Sequence, residues 1–236
     1  MHFSIITKKP QSFDWGSELR SHLFFWIYMN RIFAYTNDQE FTCNTFFIVD
    51  IENNALIVDP GDRSSKFFDY IDKNGFIIKA ILLTHTHYDH IAGLPKIIEK
   101  YDPIIYVTQE DFETMNNPTL NVSKFLAPGL TFEVKSNKIK ILKDYEKVSI
   151  NCFEFQCIKT PFHTRGSCCY LFEKDELIFT GDTLFKRSIG RYDLPNSEPH
   201  KIESSLLKLA KLDPTLNIYT GHGDKSILGK ELKNWL

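Results

Sequence analysis

Short runs of β-branched and aromatic residues alternate with helix-spaced apolar positions along most of this chain. The runs 46–49 and 55–58 flank Asn53-Asn54, and this turn signal predicts that they form a β-hairpin. Further strands are predicted at 80–83, 104–107, 131–135, 139–143, 147–159, 167–173, 176–180 and 217–219. Helices are predicted at 65–73, 94–101, 109–115, 200–211 and 229–235, with a loop at 116–131. The pattern predicts an α/β (α+β) fold, rich in antiparallel strands, with helices covering the sheets.

The alternating pattern begins near residue 32, and no repeat, low-complexity stretch or linker interrupts it afterwards. We therefore expect one domain over residues 32–236, preceded by an N-terminal extension, residues 1–31, whose role the sequence does not indicate. The extension contains the aromatic run 24–28, which we expect either to pack on the domain or to form a dimer contact. The sequence leaves the oligomeric state open.

Composition and charge exclude several classes of protein. Lys and Arg number 28 and Asp and Glu number 30, so the net charge of −2 lacks the basic footprint of a nucleic-acid-binding protein. The apolar run 23–29 is too short for a membrane span, which needs roughly 20 residues, and its flanks do not suit a signal peptide. The five cysteines form no CxxC pair, as expected of reduced thiols in a cytoplasmic protein. We expect neither a nucleic acid nor a membrane as a partner.

Three of the eight histidines lie within six residues, in the segment Thr84-His85-Thr86-His87-Tyr88-Asp89-His90. His85 and His87 are two residues apart, so they project to the same side of an extended chain and both reach one metal ion. Asp89 and His90 fall at the turn into the next predicted helix, within reach of a second ion. Imidazole and carboxylate ligands suit zinc, with iron or manganese as alternatives. The alternative of surface histidines in a loop is disfavoured, because four candidate ligands lie between a buried strand and an amphipathic helix.

Two metal ions need more ligands than these four residues provide. His163, Asp182 and His222 are the further candidates, and each follows a predicted strand, where loops commonly carry the functional groups of α/β proteins. Glycines stand beside Asp182 and on both sides of His222, and they let the backbone approach closely. The sequence therefore supplies seven candidate ligands from four separate segments.

Four motifs follow one another in a fixed order along the chain. They are Thr-His-x-His-x-Asp-His from Thr84, Thr-Pro-x-His-Thr-x-Gly-Ser from Thr160, Gly-Asp-Thr-Leu-Phe from Gly181 and Gly-His-Gly from Gly221. In this order they resemble the metallo-β-lactamase superfamily, and the stretch 188–195 narrows the resemblance to the compact glyoxalase II-like hydrolases. The resemblance covers about residues 32–236. It implies a four-layer αββα sandwich, the metallo-β-lactamase fold, with a two-metal site at one edge of the sheets.

The resemblance also implies a role for each candidate residue. His85, His87 and His163 would bind the first metal ion, Asp89, His90 and His222 would bind the second, and Asp182 would bridge the two. Asp59, in the segment Val-Asp-Pro-Gly, would orient a ligand histidine. Phe162 and Arg165 stand where the family usually has Gly and Pro. Both flank His163, so we expect them to affect the shape of the pocket and not the ligand set.

These residues predict a metal-dependent hydrolase. The hypothesis is that two divalent cations lower the pKa of a bridging water to about 7, and that this hydroxide attacks a carbonyl. Asp89 would orient the nucleophile, and Asp182 would hold both ions. A thiolate leaves easily and binds zinc well, so a small-molecule thioester, such as a hydroxyacylglutathione, is the expected substrate. Arg165, Lys186 and Arg187 lie next to the presumed ligands and are candidate contacts for an anionic part of the substrate.

Other activities stay open at this point. Lactam-cleaving relatives typically lack Asp at the bridging position, so Asp182 disfavours that activity. The chain ends 14 residues after His222, where similar full-length enzymes carry a glutathione-binding domain, so glutathione specificity is not assumed. A mononuclear-iron persulfide dioxygenase of the same fold is the main alternative, although its relatives usually have Cys-Gly-Arg at 189–191, where this chain has Ile-Gly-Arg. A non-catalytic metal-binding interaction protein is disfavoured by the complete ligand set.

Overall fold

The structure is a computed structural model, and it describes residues 5–6, 30–37 and 42–235. The aromatic run 24–28 lies outside the described residues, so its expected packing or dimer contact stays a prediction. The boundary between the extension and the domain likewise stays a prediction.

A seven-stranded sheet forms the N-terminal half of the protein, and its strands follow one another across the sheet in chain order. The strands are β1 (Ile5–Ile6), β2 (Arg31–Tyr35), β3 (Thr45–Val49), β4 (Asn54–Val58), β5 (Ile77–Leu82), β6 (Ile104–Thr108) and β7 (Ile139–Leu142). Its helices are α1 (Ser65–Asn74), α2 (Tyr88–Ile91), α3 (Leu94–Tyr101), α4 (Gln109–Thr114) and α5 (Ser123–Leu126). Strands β1 to β4 pair antiparallel, whereas β4 to β7 pair parallel.

A six-stranded sheet forms the C-terminal half, in the order β15-β14-β11-β10-β9-β8. These strands are β8 (Lys147–Ile150), β9 (Phe153–Lys159), β10 (Cys168–Phe172), β11 (Leu177–Gly181), β14 (Asn217–Thr220) and β15 (Ser226–Ile227). A small hairpin, β12 (Leu184–Phe185) and β13 (Ser188–Ile189), follows β11, and helices α6 (Ile202–Leu209) and α7 (Leu228–Leu232) complete the half. Within the sheet only β11 and β14 pair parallel; the other neighbouring strands run antiparallel.

Three buried clusters of apolar side chains show how the layers stack. One lies between the two sheets and includes Phe46 of β3 and Phe179 of β11, whose rings are 5.2 Å apart. A second joins the outer face of the first sheet to α1 and α3, and a third joins the outer face of the second sheet to α6 and α7. Successive side chains of a strand face opposite layers, so Phe46 and Phe47 belong to different clusters. The order helix, sheet, sheet, helix confirms the predicted four-layer αββα sandwich.

Local sequence signals set the ends of the first helix as expected. Ser64 accepts a hydrogen bond from the Phe67 backbone N–H at 3.4 Å, which is the usual role of serine before a helix. Gly75 ends α1 with a φ of 65°, and its N–H bonds to the carbonyl of Asp72. This left-handed conformation favours glycine at the position. Both observations confirm the helix that the spacing predicts.

The predicted strand at 131–135 is wrong. Phe132 and Val134 do alternate toward the buried cluster beneath the helices, but the segment pairs with no strand among the described residues. Instead the side-chain amide of Asn116 binds both the N–H and the carbonyl of Val134, at 2.8 and 3.1 Å. A single side chain thus replaces a strand partner, which an alternating pattern does not reveal.

Two other predicted segments differ in detail. The expected strand 147–159 is two strands, β8 and β9, joined by a tight turn in which Asn151 has a φ of 52°. Asparagine tolerates this left-handed conformation better than most residues. The predicted loop 116–131 contains the short helix α5. In the part of the chain that the structure describes, no helix has the length and hydropathy of a membrane span.

Candidate metal centre

The candidate residues meet where strands of both sheets end. Strands β9, β11 and β14 run in the same direction, and His163, Asp182 and His222 follow their carboxyl ends. The segment of His85 and His87 follows the carboxyl end of β5 in the other sheet. Loops at the carboxyl ends of such strands commonly form binding sites in α/β proteins. The fold therefore brings together residues that are 137 positions apart at most in the sequence.

The first cluster consists of His85, His87 and His163, whose nearest ligand atoms all lie within 4.8 Å of one another. His87 Nδ1 is 2.9 Å from His163 Nε2. The rings of His85 and His87 are 4.8 Å apart, so the two histidines do project to one side, as their spacing predicts. All three side chains are buried.

The second cluster consists of Asp89, His90 and His222. His222 Nε2 lies 3.2 Å from Asp89 Oδ2 and 3.3 Å from His90 Nε2. Asp89 and His90 lie in the short helix α2, which begins directly after His87. The side chain of His222 is 38% exposed and is the most accessible member of the two clusters.

Asp182 lies between the clusters. Its Oδ1 is 3.3 Å from His90 Nε2 in the second cluster, and its Oδ2 is 3.4 Å from His163 Nε2 in the first. Its Oδ2 is also 3.7 Å from His222 Nε2. One carboxylate thus faces both groups of histidines.

Hydrogen bonds fix which ring nitrogen of three histidines carries the proton. His163 Nδ1 lies 2.7 Å from the Arg191 carbonyl, which only accepts, so Nδ1 donates and Nε2 keeps its lone pair. His90 Nδ1 donates to Asp59 Oδ2 at 2.9 Å, so Nε2 is the nitrogen that faces the second cluster. For His85 the partner of Nδ1 is Thr84 Oγ1, at 3.2 Å.

Thr84 fixes which ring nitrogen of His85, in the first cluster, carries the proton. Its hydroxyl donates to Asp59 Oδ2 at 2.5 Å, so it accepts the hydrogen bond from His85 Nδ1. His85 Nε2 is then left with its lone pair directed into the cluster. Asp59 therefore contacts His90 directly and reaches His85 through Thr84. Such hydrogen bonds to carboxylates are typical of metal-binding histidines.

The protonation states suit a metal centre. Burial, reinforced by the neighbouring histidines, lowers the pKa of His85 well below its ordinary value. Burial and His163 lower the pKa of His87 to about 3, and burial also lowers that of His163. For Asp182 burial acts to raise the pKa, but the neighbouring histidines outweigh it and lower the value. The neutral imidazoles of the first cluster and the ionised carboxylate beside them form a donor set for a divalent cation.

Unsatisfied atoms at the centre agree with this donor set. Among the described residues, His85 Nε2, His87 Nε2 and Asp182 Oδ1 are buried and have no hydrogen-bond partner. Buried polar atoms are rarely left in this state without an ion or water. Nitrogens bound to one tetrahedral zinc lie about 3.3 Å apart, close to the separations of 2.9 and 3.3 Å within the clusters. The clusters suit divalent metal ions.

Gly181 and Gly221 flank the centre at positions where neighbouring atoms leave no space for a side chain. A Cβ atom on Gly221 would lie 2.2 Å from Asp182 Oδ1 and 2.8 Å from His90 Cε1. A Cβ atom on Gly181 would lie 2.2 Å from Thr84 Oγ1, and Gly181 has a φ of 47°. The glycines noted in the sequence therefore let two strand ends approach the ligands.

The sequence profile of the metallo-β-lactamase superfamily matches residues 38–222, and this range contains every residue of both clusters. The chain belongs to the metallo-β-lactamase superfamily. The match confirms the resemblance found in the motifs, and with the histidine and carboxylate clusters it identifies a metal-dependent hydrolase. 

Relatives within the superfamily include hydrolases. A probable metallo-hydrolase of Streptococcus pyogenes serotype M6 is 32% identical over 194 residues, which are 80% of this chain and 82% of the relative. The hydroxyacylglutathione hydrolase GloC of Haemophilus influenzae is 28% identical over 199 residues, 82% of this chain and 92% of the relative.

Two solved structures are also similar to this chain. The B3 metallo-β-lactamase BLEG-1 has a TM-score of 0.77 and 27% identity, over 83% of this chain and 93% of that chain. TTHA1623, solved in a di-iron-bound form, has a TM-score of 0.73 and 29% identity, over 84% of this chain and 96% of that chain. Both likenesses extend over most of the superfamily domain.

The three predicted substrate-contact residues are not equivalent. A cavity of about 380 Å³ lies beside His222, and its lining is Phe185, Lys186, Arg187, His222, Gly223 and Asp224. Two of the three cations therefore line it. Arg165 is exposed, but it is not part of the lining. Phe162, the other departure from the superfamily pattern, is fully buried in the outer apolar cluster of the second sheet, so it fills the core and not the cavity.

Three residues of the centre were missed from the sequence. Thr84 connects Asp59 to His85. Asp111 accepts hydrogen bonds from the backbone of the two loops that carry the first cluster. Glu231 accepts a 2.6 Å hydrogen bond from the Arg187 N–H. A threonine before a histidine motif carries no distinguishing signal. Asp111 follows Glu110 in a short polar helix, where acidic residues usually face solvent. Glu231 lies in the last helix, far from the motifs in sequence.

Proposed function

We propose that this protein hydrolyses small-molecule thioesters, in the manner of glyoxalase II, with two divalent metal ions bound side by side. The observation that carries the proposal is the position of Asp182 between two groups of three ligand residues. The first ion would be held by His85, His87 and His163, and the second by Asp89, His90 and His222. Zinc is the expected metal, with iron or manganese as alternatives.

When bound, the two ions would supply a Lewis acid for the substrate carbonyl and a water acidified to a pKa of about 7. The remaining steps fall to the chain. Asp89 is ionised, because His90 and His222 outweigh the effect of burial and lower its pKa. Its side chain is 15% exposed, so it can accept a hydrogen bond from the attacking water and orient it. Asp182 keeps the two groups of ligands in register.

The residues around the centre offer no competing nucleophile of the thiol type. Cys43 is the cysteine beside Asp59 and His90, and burial raises the pKa of its thiol. Its S–H donates to the Asp59 carbonyl at 3.3 Å. A protonated, buried thiol does not attack a carbonyl. This favours attack by water, the chemistry expected of the metal centre.

A thioester is the substrate class that the relatives and the chemistry favour together. The Haemophilus influenzae relative is a hydroxyacylglutathione hydrolase, and it matches 82% of this chain. A thiolate is a good leaving group and a good zinc ligand, so metal ions held by these residues would favour a thioester substrate. The likeness to a B3 metallo-β-lactamase makes lactams the comparison substrates in the test.

The substrate would extend from the metal centre into the cavity beside His222. Lys186 Nζ lies 2.6 Å from Asp224 Oδ2 across its lining, so the lysine already has an acidic partner. Arg187 is exposed at the same cavity, and its backbone has a φ of 67° held by Glu231. A non-glycine residue in this conformation often serves a function. We assign Arg187, assisted by Lys186, to an anionic group of the substrate, and leave Arg165 outside the contact.

The direct test combines metal analysis with a substrate panel. Purified protein is assayed on S-lactoylglutathione, a coenzyme A ester, a simple thiol ester and a β-lactam, with thiol release or ring opening as the signal. We expect thioester hydrolysis with two metal equivalents, and a loss of at least about 100-fold with loss of metal in Asp182→Ala. Asp193→Ala is the matched control, because Asp193 is exposed and, in the part of the chain that the structure describes, pairs only with Arg191.

Three results would contradict the proposal. Unchanged hydrolysis by Asp182→Ala would remove the assigned role of that residue. Lactam cleavage without thioester cleavage would point to the other chemistry of the superfamily. Oxygen consumption on glutathione persulfide with a single bound iron would identify a persulfide dioxygenase.

A further inference from the structure

Asp111 is a buried carboxylate outside the seven candidate ligands. It lies in helix α4 and is 0% exposed. Its Oδ2 accepts hydrogen bonds from the Thr86 N–H at 2.9 Å and the Thr164 hydroxyl at 3.1 Å, and its Oδ1 accepts one from the Gly166 N–H at 3.0 Å. Three donors converge on one carboxylate, which accounts for the burial of a charged group.

These donors belong to the two loops that carry the first histidine cluster. Thr86 stands between His85 and His87, and Thr164 directly follows His163. A further hydrogen bond of 3.1 Å joins the Thr86 hydroxyl to the Asp111 backbone carbonyl. The side chain and main chain of one residue therefore connect the ligand loop of the first sheet to that of the second.

Gly166 packs closely against Asp111, so a shift of Asp111 would move the loop of His163. A Cβ atom on Gly166 would lie 2.5 Å from Asp111 Oδ1 and 2.4 Å from Thr108 Oγ1. Thr108 also donates to the Gly166 carbonyl at 2.7 Å. The loop of His163 is thus pressed against α4, with no space for a larger residue at position 166.

We propose that Asp111 is a positioning residue that sets the distance between the two histidine loops and so preforms the first metal site; this rests on the metal centre of the proposed function. Within the first cluster His87 Nδ1 and His163 Nε2 lie 2.9 Å apart and can share one hydrogen bond, but this contact between ring atoms does not join the backbones of their loops. The hydrogen bonds to Asp111 do join those backbones, through the N–H groups of Thr86 and Gly166, and so set the separation of the loops. Partners of this kind tune metal affinity strongly.

Asp111 and Asp59 act on different parts of the centre. Asp59 reaches both clusters, His90 directly and His85 through Thr84. Among the described residues, the carboxylate of Asp111 bonds to segments of the first cluster alone. The proposal therefore makes a site-selective prediction. Loss of the Asp111 carboxylate should weaken one metal equivalent and leave the other unchanged.

The test is a calorimetric titration of zinc into metal-free wild type, Asp111→Asn and Glu110→Gln. An amide of the same size keeps one acceptor oxygen and places an N–H₂ donor against the N–H of Thr86 or Gly166. We expect the wild type and Glu110→Gln to bind two equivalents alike, because Glu110 pairs with Lys159 and not with the ligand loops. We expect Asp111→Asn to bind one equivalent about 10–100-fold more weakly and the other as the wild type does.

A second variant keeps the test decisive if Asp111→Asn does not fold. Thr164→Val removes one of the three hydrogen bonds with little change of shape, and we expect a smaller weakening of the same equivalent. Unchanged affinity for both equivalents in these variants, or equal weakening of both, would overturn the proposal. The titration needs no substrate, so a failure to hydrolyse thioesters would contradict the proposed function alone.

Discussion

Asp59 and His90 are joined by a buried hydrogen bond of 2.9 Å between Oδ2 and Nδ1. The same carboxylate accepts the N–H of Thr84 at 2.8 Å and its hydroxyl. Burial lowers the pKa of His90, but the Cys43 thiol and three carboxylates outweigh it and raise the value well above the ordinary one. In the metal-free protein this contact therefore holds a charged histidine, and a bound cation would take the place of the proton.

Asp59→Asn should weaken both metal sites, because Asp59 contacts His90 of the second cluster and reaches His85 of the first through Thr84. Three donors face the Asp59 carboxylate, so an amide leaves at least one donor opposed by another. We expect metal affinity and thioester hydrolysis to fall by about 10–100-fold. Asp62→Asn is the matched control, because Asp62 is also buried but bonds to Tyr35 and Ser64. Equal effects of the two variants on metal affinity would contradict the role of Asp59.

The glycines on either side of His222 should respond differently to alanine. In Gly221→Ala the new Cβ would meet Asp182 Oδ1 at 2.2 Å, so we expect metal loss and a fall in activity of about 100-fold or more. In Gly223→Ala nothing lies within 4 Å of the new atom, but the φ of 72° costs about 1–2 kcal/mol of stability. Metal content and denaturation curves separate the two effects. Full metal binding by Gly221→Ala would contradict the close packing at the centre.

Asp111 makes the stability of the metal-free protein depend on pH. Burial raises the pKa of Asp111 from 3.8 to about 7, with the adjacent Glu110 adding to the rise and the donors from Thr86, Thr164 and Gly166 opposing it. Between these values the folded state binds more protons than the unfolded state, so this stabilisation is present at low pH and is lost as pH rises through about 7.

Urea unfolding of wild type and Asp111→Asn measures this effect, since all other titrating groups are shared. Between about pH 4 and about pH 8 we expect the unfolding free energy of the wild type to fall relative to the variant, by up to about 4 kcal/mol. A difference that does not change with pH would show that Asp111 titrates normally.

Arg187→Gln should raise KM for anionic thioesters and leave kcat unchanged. The loss of one charge-assisted contact corresponds to about 10-fold in KM. Lys186→Gln should have a smaller effect, because Asp224 already pairs with the lysine. Lys225→Gln is the control, since Lys225 does not line the cavity. The same change in KM for a neutral thioester would place the anion contact elsewhere.

The sequence predicted that the candidate ligands lie together because their geometry is local or strand-based. His85 and His87 needed only an extended backbone to share a side, and Asp182 and His222 needed only parallel neighbouring strands. Asp111 could not be predicted in this way. Its burial depends on donors from loops 25 and more than 50 residues away, and its own helix has the composition of a solvated surface.

The differences in secondary structure have the same origin. The hairpin of β12 and β13 consists of two-residue strands, too short to give a periodic signal, yet its turn carries Lys186 and Arg187 to the cavity. At 131–135 the alternation of Phe132 and Val134 correctly indicates that these side chains are buried or partly buried, but the predicted strand is wrong. The backbone of Val134 bonds to the side chain of Asn116 and not to a neighbouring strand. The hydrophobic pattern of the sequence indicates which residues are buried. Contacts between distant segments determine which residues pack against them.

The most direct measurement is a zinc titration of metal-free protein carrying either His87→Ala or His222→Ala, compared with the wild type. If two adjacent sites share Asp182, the wild type binds two equivalents of zinc and each variant binds one. We expect both variants to lose thioester hydrolysis. One equivalent or none in the wild type, or two retained in either variant, would contradict a two-metal centre built from these residues.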